Sequence, residues 1–329
     1  MIANNAKKAK LNKKKVSRWK RLLIFLTFEF VFTCLTMPLM VFYGPFETVK
    51  KTVVGTFWST WRHQYLAQIF LKDDAIYRIL GYDGNPDITN GEKIKELNFD
   101  INRTGNIEVA NIDGGKFNAK LIVIPDPTKV VVGYSSHIPK KGETTSTIAK
   151  KNNAIAAINA GGFIDIGYAG TGGAPDGLIM HNGEVIYDST GGGERETVAI
   201  TKKGMLIVGT YTLDELKQYD VKEAVSFGPP LIINGKRTNP RYWGIAPRTA
   251  IGQKATGEIL FLAVDGRSFS SVGASMEDLQ DILLQFGAVN ASNLDGGSST
   301  TMYYNGKVIN KPSEPMGERS VASVFMAMP

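Results

Sequence analysis

The 329-residue sequence predicts an α+β protein. A strand-rich domain of mixed sheet with few helices spans 105–329, preceded by a single N-terminal transmembrane helix and a helical stalk. Three observations predict it. A largely apolar run with a single charge, Glu29, fills 22–43. Beyond Asn106, short apolar runs alternate with tight turns, including Asn-Gly pairs at 182–183, 234–235 and 305–306. Helical periodicity in that region is confined to three short segments. An Asn-Gly pair between apolar runs is the strongest short-range hairpin signal, because a type I′ turn needs positive φ at both central residues.

The N-terminus comes first. Residues 1–21 form a basic tail with nine Lys and Arg and no acid; the first acid is Glu29. The formal charge of +7 therefore leaves −2 on residues 22–329. A slightly acidic body lacks the phosphate-neutralising charge of a nucleic-acid-binding domain and excludes that class. Residues 22–43 exceed the ~20 needed to cross ~30 Å of hydrocarbon as a helix. Trp19 and Tyr43 fall at interfacial positions. The basic flank predicts a cytoplasmic N-terminus and an extracellular remainder, held at the cell membrane. The exit TMPLMVFYGPF has no small-residue cleavage pattern, which favours an uncleaved signal anchor over a cleaved signal peptide. Glu29 reads as a snorkelling or protonated acid and Cys34 as a packing residue.

Residues 44–104 read as stalk and linker. Phe57, Trp58, Trp61, Tyr65, Ile69 and Phe70 recur at helical spacing, and a second pattern runs through Ile76, Ile79 and Leu80. Residues 82–103 are polar and rich in turn formers. In the body, Lys120–Ile124 and Val130–Tyr134 flank the turn Pro125-Asp126-Pro127. Ala154–Ile158 is continuously apolar, as in a strand buried on both faces. The expected helices are Thr145–Lys151, Leu213–Tyr219 and Met276–Phe286. The last opens with Ser275 and Asp278 in a capping-box pattern and closes at Gly287.

Polar segments punctuate the strand ends: Asn159 to Phe163, Pro247-Arg248-Thr249, Asp265-Gly266-Arg267, and Asn293 to Thr300. Asp-Gly is a common turn, so each alone has a structural reading. Together they place acids and arginines repeatedly beside glycines. Arginine's planar fork suits phosphate, and paired carboxylates suit glycosyl transfer through an oxocarbenium-like state. P-loop, nucleophile-elbow and dinucleotide-binding patterns are missing. One cysteine and three histidines (His63, His137, His181) exclude intrachain disulfides and a His-rich metal centre.

INAGGF (158–163), DGLI (176–179), SFGPPLIING (226–235), PRT (247–249), VDGR (264–267), NLDGGSS (293–299) and GER (317–319) resemble, in family order, the phosphodiester glycosidase family. The helical stalk after one span resembles its membrane-anchored bacterial members of exopolysaccharide-biosynthesis type. Ala160 interrupts the first motif, where the family pattern reads Asn-Gly-Gly-Phe. The resemblance implies hydrolysis of a sugar-1-phosphodiester in a cell-surface glycopolymer to free sugar and a phosphomonoester. It implies a phosphate clamp at Arg248 and Arg319. The catalytic carboxylate is Asp295, then Asp265, then Glu318. Asn159, Gly161, Gly162 and Asp176 hold sugar or phosphate oxygens, and Gly296, Gly297 and Ser298 donate to phosphate. Ca²⁺ or Mg²⁺ beside Asp265 or Asp295 suits those oxygen ligands. Two other readings stay open: a non-catalytic phosphoglycan-binding module or assembly partner, and a metal phosphodiesterase cutting P–O.

Overall fold

The Asn-Gly pairs make three type I′ hairpins. Asn182, Asn234 and Asn305 have φ of 52°, 51° and 45°, and the glycines that follow lie at 80°, 79° and 85°. The computed structural model describes residues 17–58, 64–80, 94–100, 105–164, 170–240 and 244–329. His63, Trp61 and most of the expected linker lie outside them.

The chain divides into residues 1–50 and 51–329. In the first unit the helix Arg18–Tyr43 runs 26 residues with most of its large apolar side chains exposed, Phe42 excepted. It is the one described helix long and apolar enough to cross a membrane; a signal sequence satisfies the same criterion. In the second unit the expected stalk periodicity appears as Gln64–Gln68, Asp73–Ile79 and the larger part of Glu47–Trp58. Val54, Ala67, Ile76 and Leu80 are buried, and Gly55 lies against Gly244.

Beyond the stalk, three larger antiparallel sheets and two two-stranded ones form the framework. A seven-stranded sheet runs Glu108–Asp113, Asn118–Ile124, Ile259–Val264, Arg248–Lys254, Ala288–Leu294, Pro230–Ile233 and Lys236–Arg237. A five-stranded sheet holds Ala156–Asn159 between Met302–Tyr304 and Ser323–Ala327. A second orders Leu206–Tyr211, Arg195–Thr201, Val221–Ser226, Leu178–His181 and Glu184–Asp188. The α+β class is the one expected, but every described strand pair is antiparallel where a mixed sheet was anticipated, since hairpins such as Leu178–His181 with Glu184–Asp188 fold the chain back on itself and the long-range pairs follow the same sense.

The expected helices form at Thr145–Lys151, Leu213–Gln218 and Met276–Gln285. The last has its capping box: Ser275 Oγ accepts from Asp278 N–H, and Asp278 accepts from Ser275 N–H. Its Leu279, Ile282 and Leu283 pack on Leu231, Ile232, Ala250, Leu260 and Leu262 of the seven-stranded sheet. The opposite face of that sheet buries Ile251, Phe261, Ala263 and Leu294 with Ile158, Phe325 and Val225 of the other two. This sandwich brings the edges of two sheets together at Asp295, whose N–H donates to Ala160 O at 3.0 Å.

Candidate active site

Antiparallel pairing fixes where the motifs meet. Arg248 pairs with Val264 and Thr249 with Leu294, so Asp265 and Asp295 leave the sheet at the same edge, on either side of Arg248. Val324 pairs with Asn159, so the Gly161–Gly162 loop and the segment containing Arg319 and Ser320 share the matching edge of the five-stranded sheet. Long-range register, and not nearness in sequence, joins these segments.

At the junction lies a charged cluster. Asp295 keeps partial solvent access, while its carboxyl is enclosed by protein. Burial pushes its pKa up to about 6, against the Ser299 hydroxyl, the Arg319 charge and the Gly296 N–H, all of which favour the carboxylate. Arg319 Nη1 donates to Ser298 Oγ at 3.1 Å, and its Cζ stands 5.0 Å from the centroid of the Phe163 ring. Arg267 closes the group. A Cβ on Gly297 would meet its Nη2 at 3.2 Å. Burial and the like charge of Arg319 lower the proton affinity of Arg267, while Glu314 opposes them. Two neighbouring guanidiniums, one of them acting on a carboxyl of raised pKa, can hold an anion and exchange a proton next to it.

Several expected ligands have other duties. Arg248 is buried: its Nε donates to Ala274 O at 3.3 Å and its Nη2 to Gly244 O at 2.7 Å. Its side chain follows Val264 onto the sheet face covered by the Met276–Gln285 helix, away from Arg319. Asn159 has no solvent exposure. Its Oδ1 accepts from Thr249 Oγ1 at 2.9 Å and Thr301 N at 3.0 Å, and its Nδ2 donates to Asp295 O. It positions the Asp295 loop and cannot reach a substrate. The Gly161 and Gly162 N–H groups donate to Ser323 Oγ at 3.1 Å and Ser226 O at 3.3 Å, so neither is offered to a ligand. These glycines serve close packing instead: a Cβ at Gly162 would lie 3.1 Å from the Phe227 ring.

Glu318 turns to the Thr145–Lys151 helix, where it accepts from Ser146 N at 2.9 Å and from Ser146 Oγ. It is not among the groups around Asp295. Asp265 accepts from Lys311 N at 2.9 Å and Asn310 Nδ2 at 3.2 Å, anchoring the segment after the last Asn-Gly hairpin. Burial raises its pKa, against those two bonds and the charges of Lys120 and Lys311. The expected convergence of Arg248, Asp265 and Asp295 is thus replaced by Asp295, Arg319 and Arg267. Asp176 is exposed beside Gly162, to whose carbonyl its N–H donates at 3.0 Å. Among the described residues no three His, Cys, Asp or Glu side chains gather as metal ligands. The groups around Asp295 and Asp265 are donors and cations, a set that does not suit Ca²⁺ or Mg²⁺.

Sequence reasoning overlooked Arg267 as a site residue. The Asp-Gly-Arg pattern drew attention to Asp265. The structural signal is the left-handed conformation of Arg267, φ 57°, a strained state for a non-glycine residue.

Fold and site together define a class: a protein in which a protonatable carboxyl and an arginine meet where two sheet edges join. More narrowly, the chain belongs to the phosphodiester glycosidase family, whose sequence profile matches residues 152–328. It is 29% identical over 213 residues to the SPβ prophage-derived protein YomE of Bacillus subtilis, a match covering 62% of this chain and 32% of that protein. It is 39% identical over 70 residues to the N-acetylglucosamine-1-phosphodiester α-N-acetylglucosaminidase of Bos taurus, covering 21% of this chain and 13% of the bovine protein. The chain thus spans a third or less of these relatives. The zebrafish catalytic domain of that name, auto-inhibited by its pro-peptide, shares the fold. Its TM-score is 0.58 at 22% identity, over 71% of this chain and 87% of that one.

Proposed function

We propose that this protein hydrolyses a sugar-1-phosphodiester. One observation carries the reading: Asp295, its pKa raised to about 6, faces the charge of Arg319, and Arg267 stands next to Arg319 at Gly297. The arginines bind the phosphate, which leaves as an anion and needs less help from a general acid than a sugar alkoxide. Asp295 serves the anomeric carbon, as base for water or as the stabilising carboxylate. Ser298 and Phe163 hold Arg319 in place. The C1–O bond breaks, the electron pair stays on phosphate, and water supplies the new anomeric hydroxyl.

The protein acts outside the cell, tethered by the Arg18–Tyr43 helix, in the metabolism of cell-surface glycopolymer or exopolysaccharide. The basic tail and the length of that helix support the tether. The rival reading is a phosphoglycan-binding module without turnover, which the same arginine pair would serve.

The test is incubation of the full chain with a sugar-1-phosphodiester in ¹⁸O water. Free sugar carrying ¹⁸O, formed by wild type and not by Asp295→Asn, supports hydrolysis at C1. Sugar-1-phosphate with ¹⁸O in the phosphate would assign a P–O phosphodiesterase instead. Binding without turnover would leave the module.

A further inference from the structure

Within residues 105–329, six described large apolar side chains are exposed: Val109, Ile164, Val185, Phe269, Val272 and Met316. Four of them stand on three segments that border the charged site. Ile164 follows Phe163, whose ring carries Arg319. Phe269 and Val272 lie in the turn that Arg267 opens, closed by Ser268 N–H donating to Ser271 O at 2.9 Å. Met316 tips the 314–317 turn, closed by Gly317 N–H donating to Glu314 O at 3.0 Å. That turn begins beside Ser313, whose Oγ donates to Gly297 O at 3.4 Å, and leads into Arg319. Phe269 is fully exposed and Met316 94% exposed. Single exposed apolar residues are ordinary on any surface. Here four flank one anion site, and the two most exposed sit at turn tips next to its arginines.

Exposed apolar side chains on the two turns beside these guanidiniums match an amphiphile, an anionic phosphate carrying a hydrocarbon substituent. The sugar is polar, so this apolar rim suits the other ester group, the alcohol that leaves with the phosphate. We infer that this alcohol is a lipid. The substrate is then a glycosyl phosphodiester of a long-chain alcohol, with its phosphate on Arg267 and Arg319 and its chain on Phe269, Val272 and Met316. In the reaction C1–O breaks and the water oxygen joins C1. One water proton stays on the new sugar hydroxyl, and the other passes to the lipid phosphomonoester. The inference deepens the proposed hydrolysis and rests on it for chemistry, though not for binding.

The experiment compares a sugar-1-phosphate esterified to decanol with one esterified to methanol, using the full chain in micelles. Wild type is expected to favour the decyl ester in kcat/KM. Phe269→Ser and Met316→Ser should each cut the decyl-to-methyl ratio about tenfold, the loss that one large apolar contact produces. An unchanged ratio in the double variant overturns the inference. If neither ester is turned over, the catalytic reading has failed, and binding of decyl phosphate against methyl phosphate decides the rim alone. A decyl preference that disappears in the double variant supports the rim; equal binding of both phosphates overturns it.

Discussion

Arg267 fills the space of the side chain that Gly297 lacks: a Cβ there would stand 3.2 Å from its Nη2. Gly297 also has φ 61°, which penalises any L side chain. Gly297→Ala is therefore expected to cost about 1 kcal/mol of stability from the backbone. It should also displace Arg267 and weaken inorganic phosphate binding severalfold. Calorimetric titration with phosphate, beside thermal unfolding, checks both. Unchanged phosphate affinity would remove Arg267 from the site.

The arginines should separate by function. Arg319→Ala removes a guanidinium from the Asp295 cluster, so phosphate affinity and kcat/KM should fall by tenfold or more with a small change in Tm. Arg248→Ala strips a donor from the Ala274 and Gly244 carbonyls and leaves a cavity. It should cost about 2–4 kcal/mol of stability. The two denaturant midpoints, with the two phosphate affinities, distinguish a ligand-facing arginine from a structural one. A reversed pattern would refute the assignment.

Asp295 gives a pH signature. Its pKa is raised by burial to about 6, while the unfolded chain releases that proton near the ordinary ~3.9. Between these values the folded state binds more protons, so its contribution to stability falls as pH rises from about 4 to 6. Asp295→Asn removes that dependence. The variant should exceed wild type by about 1–3 kcal/mol at pH 7.5 and by less at pH 4. Tm should accordingly rise a few degrees at the higher pH. The wild-type kcat/KM profile should carry a limb near pH 6. A stability difference that is flat across this range would contradict the raised pKa.

Asn159→Ala tests positioning at a distance from the ligand. It removes the Asn159 partner of Thr301 N–H and of the Asp295 carbonyl, and leaves the Thr249 hydroxyl only its longer bond to Thr300 Oγ1. A loss of about 2–4 kcal/mol is expected. Because the Asp295 loop loosens, kcat should fall more than KM rises. A variant with wild-type kcat would show that Asn159 only stabilises.

Much of the fold was legible locally. Asn-Gly pairs specify their own turns, the Ser275–Asp278 pair caps its own helix, and an apolar run such as Ala156 to Ile158 must be covered on both faces. Site motifs were legible as segments, and Asp295 stood out within NLDGGSS. Side-chain direction was not legible. Arg248 and Thr249 are adjacent in sequence, yet strand parity sends them to opposite faces of the sheet. Arg248 thereby goes to the Ala274 carbonyl and Thr249 to Asn159. Glu318 and Arg319, just before the Ser320–Val321 strand, also part, toward Ser146 and Ser298. Arg267 escaped notice because its left-handed backbone, which aims it over Gly297, leaves no mark in composition or spacing.

The sequence by itself determined the charge division between tail and body, the apolar N-terminal helix, the hairpin turns, the capped helix and the family motifs in order. Each depends on residues within a few positions of one another. Only the tertiary structure decided which arginines face Asp295, that Asn159 is a strut, and that the Asp295 proton is held to about 6. Those outcomes depend on the register of strands more than a hundred residues apart and on the burial their packing creates.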